Sequence, residues 1–348
     1  MRVQRDLTNF LAEQIQYLGE IGTELIPVAE AMNAFLLDGG KRLRPLFAYC
    51  GYLAAGGKDD EAIVRAVSSL ELLQACALIH DDLMDGSDTR RGKPSIHRWF
   101  EGIHQSEELA GSATNYGSSA AVLLGDLALV WSDQMLHRSG VTSEALIHCL
   151  PIFDEMRVEL MAGQFLDVHE QALATQSVAR SLKIARYKSG KYTVERPLHF
   201  GVTLAQPDGE KRQSYMTIFS EFGLPLGEAF QLRDDLLGVF GDPSITGKPV
   251  GDDLREGKRT VLMAMTHDRA SEQQERIISK LFGDPSLSDA GIEELQMIIT
   301  NTGAGEHVEE LIEKLTLTAL DALNREEIDE VTHALLSELA SNAVRRSV

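Results

Sequence analysis

The sequence predicts an all-α protein, and three observations carry that expectation. Apolar residues recur at helical spacing along most of the chain, as in Ile63-Val67-Leu70-Leu73, Ile184 to Leu198, Ile218 to Val239 and Leu311-Leu315-Leu320-Leu323. No stretch alternates apolar and polar residues over the length of a strand. Glycine and proline separate the periodic segments, at Gly39-Gly40 and Pro45 and again at Asp85-Gly86 and Asp208-Gly209.

Taken in order, Met1 to Leu18 contains Asp6 and Glu13 and lacks the apolar centre of a signal peptide. Gly39-Gly40-Lys41-Arg42-Leu43-Arg44-Pro45 divides two helical patterns, with Pro45 placed to open the second. The next helix is expected from near Asp60 to Gly86 and carries Asp81, Asp82 and Asp85 in its last turn. Residues 101–118, with Gly102, Gly111 and Gly117, read as a long loop or mobile lid. Gly117 to Met135 reads as a glycine-studded helix suited to close packing, and Phe240 to Glu256 as a second loop. Acidic helices follow, and the Arg345-Arg346 end is expected to fray. There is no fixed-period repeat.

Lys+Arg 33 against Asp+Glu 53 gives a net charge of −20, which argues against nucleic acid or an anionic membrane surface as partners. The 43% hydrophobic content allows a sizeable core in 348 residues, and the spread of the motifs below points to one domain, 1–348. Cys50, Cys76 and Cys149 are odd in number and lie in apolar surroundings, which fits reduced packing residues and a cytoplasmic location. No membrane span is expected, since the best apolar run, Ala120 to Trp131, is short and contains Asp126.

Two acidic clusters carry the chemistry: Asp81-Asp82-Leu83-Met84-Asp85 and Asp234-Asp235-Leu236-Leu237-Gly238. Residues four apart share a helix face, so Asp81 and Asp85 point the same way. At a helix C-terminus each carboxylate is disfavoured by about 0.3–1 kcal/mol, a poor arrangement for stability alone. A divalent cation with oxygen ligands, its shell completed by substrate phosphates, reverses that sign. A solvated acidic helix end is the competing reading for either cluster alone; two clusters in apolar flanks weaken it, because charges are rarely buried without a partner.

Cations stand next to the anions. Thr89-Arg90-Arg91-Gly92-Lys93-Pro94 follows the first cluster, and arginine forks match phosphate oxygens. Lys41, Arg42 and Arg44 sit beside backbone N–H groups at Gly39-Gly40, and Lys188-Ser189-Gly190-Lys191, Gly247-Lys248 and Gly257-Lys258 add further basic positions. Each is weak alone, and together they suggest a diphosphate ligand.

Gly-Gly-Lys-Arg-x-Arg-Pro, His80-Asp81-Asp82-x-x-Asp85 with Arg90-Arg91-Gly92, and Gln231-x-x-Asp234-Asp235 with Gly247-Lys248 and Gly257-Lys258 resemble, in order and spacing, the signatures of the trans-isoprenyl diphosphate synthases. Lys188 to Leu198 is similar in particular to the geranylgeranyl-forming enzymes of actinobacteria. The resemblance implies an antiparallel helical bundle with a central cavity, homodimerisation, and Mg²⁺, three ions per site, as cofactor. It implies that Asp81, Asp85 and Asp234 bind Mg²⁺ and that Asp82 and Asp235 orient ligands or metal-bound waters. Arg90, Lys188 and Lys248, with Lys258 close by and Gln231 adding a polar contact, would hold the allylic diphosphate; Lys41, Arg44, Gln74 and Arg91 would hold isopentenyl diphosphate without metal. The reaction implied is ionisation of the allylic C–O bond followed by attack of the isopentenyl double bond, so His80 and His97 need no catalytic role.

In the resembling family, bulky aromatics four or five residues before the first Asp stop chain growth at farnesyl. Here those positions are Ala77 and Cys76, with Leu73 and Leu72 a turn deeper, so a geranylgeranyl product is expected. One departure is Gly238, where many relatives carry a third Asp. The alternatives are a farnesyl or longer-chain synthase, a terpene cyclase, a noncatalytic synthase subunit and a metal-binding scaffold.

Overall fold

A computed structural model describes residues 2–173, 175–206, 209–242 and 250–345. The described residues are helical apart from connections and one antiparallel ribbon, β1 (Thr89–Arg90) paired with β2 (Lys93–Pro94). The all-α expectation therefore holds.

The N-terminal part contains α1 (Arg2–Ile21), α2 (Ile26–Leu37), α3 (Leu43–Ala54) and the long α4 (Glu61–Asp85). Local chemistry sets the bounds of α4: the Asp60 side chain accepts from Ile63 N at its start, and Gly86 closes it at φ 71°. α4 is long and apolar enough to cross a membrane, contrary to the sequence expectation, but 72% of its apolar window is buried inside the protein. It is the central core helix, and it buries Glu71 and Asp82 along with its apolar residues.

α5 (Ile96–Ser106) and α6 (Ala113–His137) replace most of the expected lid at 101–118, leaving only residues 107–112 as a connection. The difference has a packing cause. Gly117 is helical, and a Cβ there would sit 3.2 Å from Glu101 N and overlap His97 O, so this glycine allows two helices to approach rather than loosening a loop.

After α7 (Ser143–Leu173) and α8 (Val178–Ile184) the chain widens into a π-helical segment, Ala185–Glu195, that runs into α9 (Arg196–Ala205). Such widened turns are rare and often mark functional positions. Small residues seat this one: a Cβ on Gly163 of α7 would lie 2.7 Å from Lys188 Cα, and one on Gly227 of α10 (Gly209–Phe240) 2.5 Å from Gly190 O. Also toward α7, Lys191 pairs with Glu159, and Arg196 Nε donates to Glu159 Oε2 at 2.7 Å.

The second expected loop, 240–256, is shorter than read. α10 runs to Phe240, residues 243–249 lie outside the described residues, and α11 (Asp252–Glu256) is a short helix. Further helices, ending with Ala304–Ala322 and Glu330–Val344, pack on α10 in a cluster that includes Phe219, Phe222, Leu295 and Leu336. Phe47, Phe153, Phe200, Phe219 and Phe222 are fully buried, each contributing about 1.5–3 kcal/mol by removal from water.

Candidate active site

A single cavity of about 730 Å³ draws residues from the whole length of the chain, from Gly40 to Arg345. Asp81 of α4 and Asp234 and Asp235 of α10 line it together, as do Lys41, Arg44, Gln74, Arg90, Arg91, Lys188, Gln231 and Lys258. Two sequence-distant acidic motifs thus share one space with the cations expected beside them. Lys248 lies outside the described residues.

The acidic end of α4 is held by basic side chains from other elements. Asp81 Oδ1 accepts from Lys188 Nζ at 2.9 Å and from Gln164 Nε2 at 2.8 Å; Lys188 Nζ also donates to Asp167 Oδ2 at 2.6 Å. Asp82 is fully buried under Arg90, whose Nε donates to both carboxylate oxygens at 3.0 and 3.1 Å. Lys258 Nζ lies 3.0 Å from Asp85 Oδ2, 2.9 Å from Glu256 Oε2 and 3.6 Å from Asp253 Oδ1. On α10, Gln231 Nε2 donates to Asp235 Oδ1 at 2.8 Å.

Burial and charge pull these carboxylates apart. Burial pushes Asp81 upward, but Lys188, Lys258 and Arg90 outweigh it and hold the group well below the usual carboxylate range. At Asp85 burial wins over Lys258, with Asp81 adding repulsion, and the carboxyl is raised to about 6. Burial likewise raises Asp235 to about 7 against the Gln231 hydrogen bond. Strongly displaced titration in a cleft marks a functional-site candidate. Among the described residues no three His, Cys, Asp or Glu side chains are already grouped as a metal site. Mg²⁺ commonly takes only one or two carboxylates and completes its shell with water and substrate phosphates, so hard oxygen donors with buried excess negative charge fit that ion.

The basic side is only partly as expected. Arg44 Nη2 donates to Thr193 Oγ1 at 2.8 Å and stacks 4.3 Å over the Tyr192 ring. Arg91, at φ 55°, donates to Asp38 O at 2.8 Å, and Lys41 Nζ approaches Asn342 O at 3.4 Å. Gln74 Oε1 is buried without a hydrogen-bond partner beside the cavity. Arg42 lines the cavity as well but is already engaged: it is left-handed at φ 52°, pairs with Glu71 and donates to Leu36 O at 2.6 Å. Arg345, expected to fray, instead lines the cavity, which follows from Glu330–Val344 remaining helical and Arg233 Nε holding Val344 O at 2.9 Å.

Of the chain-length positions, Ala77 lines the cavity. Leu73 is fully buried with Leu160 and Tyr192 in the cluster against which Ala77 packs. Cys76 faces the other side, in the cluster with Leu72 and Leu124. Gln164 and Asp167 join the site without belonging to any of the sequence motifs, although a polar pair three apart after Gly163 marks one inward helix face. Cys50, Cys76 and Cys149 are free and buried, and burial pushes each thiol up to about 12, so they remain protonated packing residues.

Fold and cavity together define a helical enzyme class that binds diphosphates between acidic walls. The sequence matches the Polyprenyl synthetase family over residues 27–299, and the chain belongs to that family. The geranylgeranyl pyrophosphate synthase of Corynebacterium glutamicum, solved with isoprenyl diphosphate and magnesium, is similar at 41% identity and a TM-score of 0.95, covering 99% of this chain and 98% of that one. Among characterised relatives, a geranylfarnesyl diphosphate synthase from Aeropyrum pernix is 31% identical over 88% of this chain and 91% of its own. A geranylgeranyl diphosphate synthase from Sulfolobus acidocaldarius is 30% identical over 91% and 90%.

Proposed function

We propose that the protein condenses isopentenyl diphosphate with allylic diphosphates to make geranylgeranyl diphosphate, using Mg²⁺. Short-chain trans-prenyl transfer follows from family membership. The observation that carries the reading is the meeting of Asp81 and Asp234 in one cavity that Lys41, Arg44, Arg90, Arg91, Lys188 and Lys258 also line.

Asp81, Asp85 and Asp234 are the residues that would hold Mg²⁺, three ions per site, and Asp82 and Asp235 would orient them. Once bound, the ions supply Lewis-acid stabilisation of charge on the departing diphosphate. Lys188, Lys258 and Arg90 neutralise the same wall, and Lys188 is already poised between Asp81 and Asp167. Lys248 and Gln231 would complete the allylic diphosphate site. Lys41, Arg44, Gln74 and Arg91, which line the same cavity, would hold isopentenyl diphosphate. Ala77 leaves room for the growing tail, with Leu73 as floor; the position of Cys76 in a different cluster supports a packing role there.

We further read residues 1–348 as one catalytic domain, cytoplasmic, acting as a homodimer. Leu123 and Val130 of α6 and Ile147, Val158 and Phe165 of α7 are each at least 60% exposed, an apolar band suited to a second copy. The test is chromatography of products formed by the purified chain from isopentenyl diphosphate and each of dimethylallyl, geranyl and farnesyl diphosphate, with and without Mg²⁺. A C20 diphosphate formed only with Mg²⁺ is expected. No elongation, or a hydrocarbon from farnesyl diphosphate alone, would refute the reading.

A further inference from the structure

Gly238 occupies the third position of the α10 acidic motif, and the space beside it is already taken. A Cβ on Gly238 would lie 2.5 Å from Asp253 Cγ and overlap Asp253 Oδ2. Not even a methyl group fits while that carboxylate stays. The glycine is not required by backbone conformation: it lies inside α10 and is absent from the left-handed positions. Glycine inside a helix costs about 0.5–1 kcal/mol relative to alanine. Room for Asp253 is the one gain on view for that loss.

Asp253 stands in the first turn of α11, with its side chain only 13% exposed, and lines the cavity beside Asp234, Asp235 and Gly238. Lys258, which also holds Asp85 of the opposite wall, is 3.6 Å from it. A carboxylate thus reaches the third position of the motif from a different element.

We propose that Asp253 is the missing third carboxylate of the α10 wall, and that Gly238 exists to admit it. This rests on the Mg²⁺-diphosphate reading of the cavity. Asp253 then acts as a positioning residue for the Asp234 metal site, directly or through metal-bound water, and the motif is complete in space though not in sequence.

The test measures binding rather than turnover: the rise in melting temperature of the full chain with inorganic diphosphate as Mg²⁺ is titrated. Loss of an outer-shell partner typically weakens metal affinity about 10–100-fold. Asp253→Asn is expected to raise the Mg²⁺ midpoint by about tenfold or more. Gly238→Ala, which displaces the Asp253 carboxylate without removing charge, is expected to raise it as well. The transposed pair Gly238→Asp with Asp253→Ala is expected to recover most of the loss. An Asp253→Asn midpoint equal to wild type, while Asp81→Ala abolishes the shift, overturns the Asp253 assignment alone. A wild-type protein with no Mg²⁺-dependent shift overturns the cavity reading and this assignment together.

Discussion

Ala77 lies one helical turn before Asp81 on the cavity side of α4, so a large side chain there stands between the diphosphate end of the site and Leu73. Replacing Ala77 with Phe should close the tail space early. Each isoprene unit adds five carbons; at about 0.8 kcal/mol per buried CH₂, excluding one unit forfeits roughly 4 kcal/mol. That is nearly three decades in equilibrium or rate at about 1.4 kcal/mol per decade. The variant should therefore use dimethylallyl diphosphate at a near-normal rate, lose use of farnesyl diphosphate by about a thousandfold, and release a shorter main product. Product chromatography with the three starters, alongside melting temperature to show that the variant is folded, reads this directly. A folded Ala77→Phe enzyme that still makes the wild-type chain length refutes the placement of the tail along α4.

Leu73→Ala should lengthen the product by opening the floor, at a stability cost of about 2–5 kcal/mol measured by urea unfolding. Asp81→Ala and Asp234→Ala should each lower turnover by at least about a hundredfold with circular dichroism unchanged, since each removes a charge-holding group rather than core volume. His199 gives a pH dependence of stability: burial and neighbouring Arg196 lower its imidazole to about 4, while Nε2 meets the Met216 carbonyl at 2.9 Å. Between pH 6.5 and 4 the unfolded chain takes up a proton that the folded one refuses, so up to roughly 3 kcal/mol present above 6.5 is lost as pH falls. The raised carboxyls of Asp85 and Asp235 act in the opposite sense over the same range, so the His199 contribution is read as a difference: between pH 7 and pH 5, urea unfolding should show wild type losing about 2 kcal/mol relative to His199→Gln. Gly201→Ala, whose Cβ would lie 2.7 Å from Tyr52 N and overlap Ala48 O, should destabilise by about 1–3 kcal/mol; Gly19→Ala, with open space around it, should not.

Local signals are legible in the sequence. Asp60 and Gly86 announce the ends of α4 by capping chemistry within a few residues, and Asp81 and Asp85 share a face because of helix periodicity alone. Glycine is less legible, because the same residue serves loops and tight helix contacts. Gly117, expected in a lid, is a contact point between α5 and α6. Among Lys41, Arg42 and Arg44, nothing local says that the middle one turns inward to Glu71.

Helix content, the two acidic motifs and their basic neighbours were legible because periodicity, capping and charge act over a few residues. The partners of those groups were not. Gln164 and Asp167 matter because α7 brings them to Asp81 and Lys188, Arg345 because the last helix stays docked, and Gly238 because Asp253 arrives from another element. Such meetings depend on how closely backbones pack, a sum of contacts between residues far apart in the chain that no short stretch of it contains.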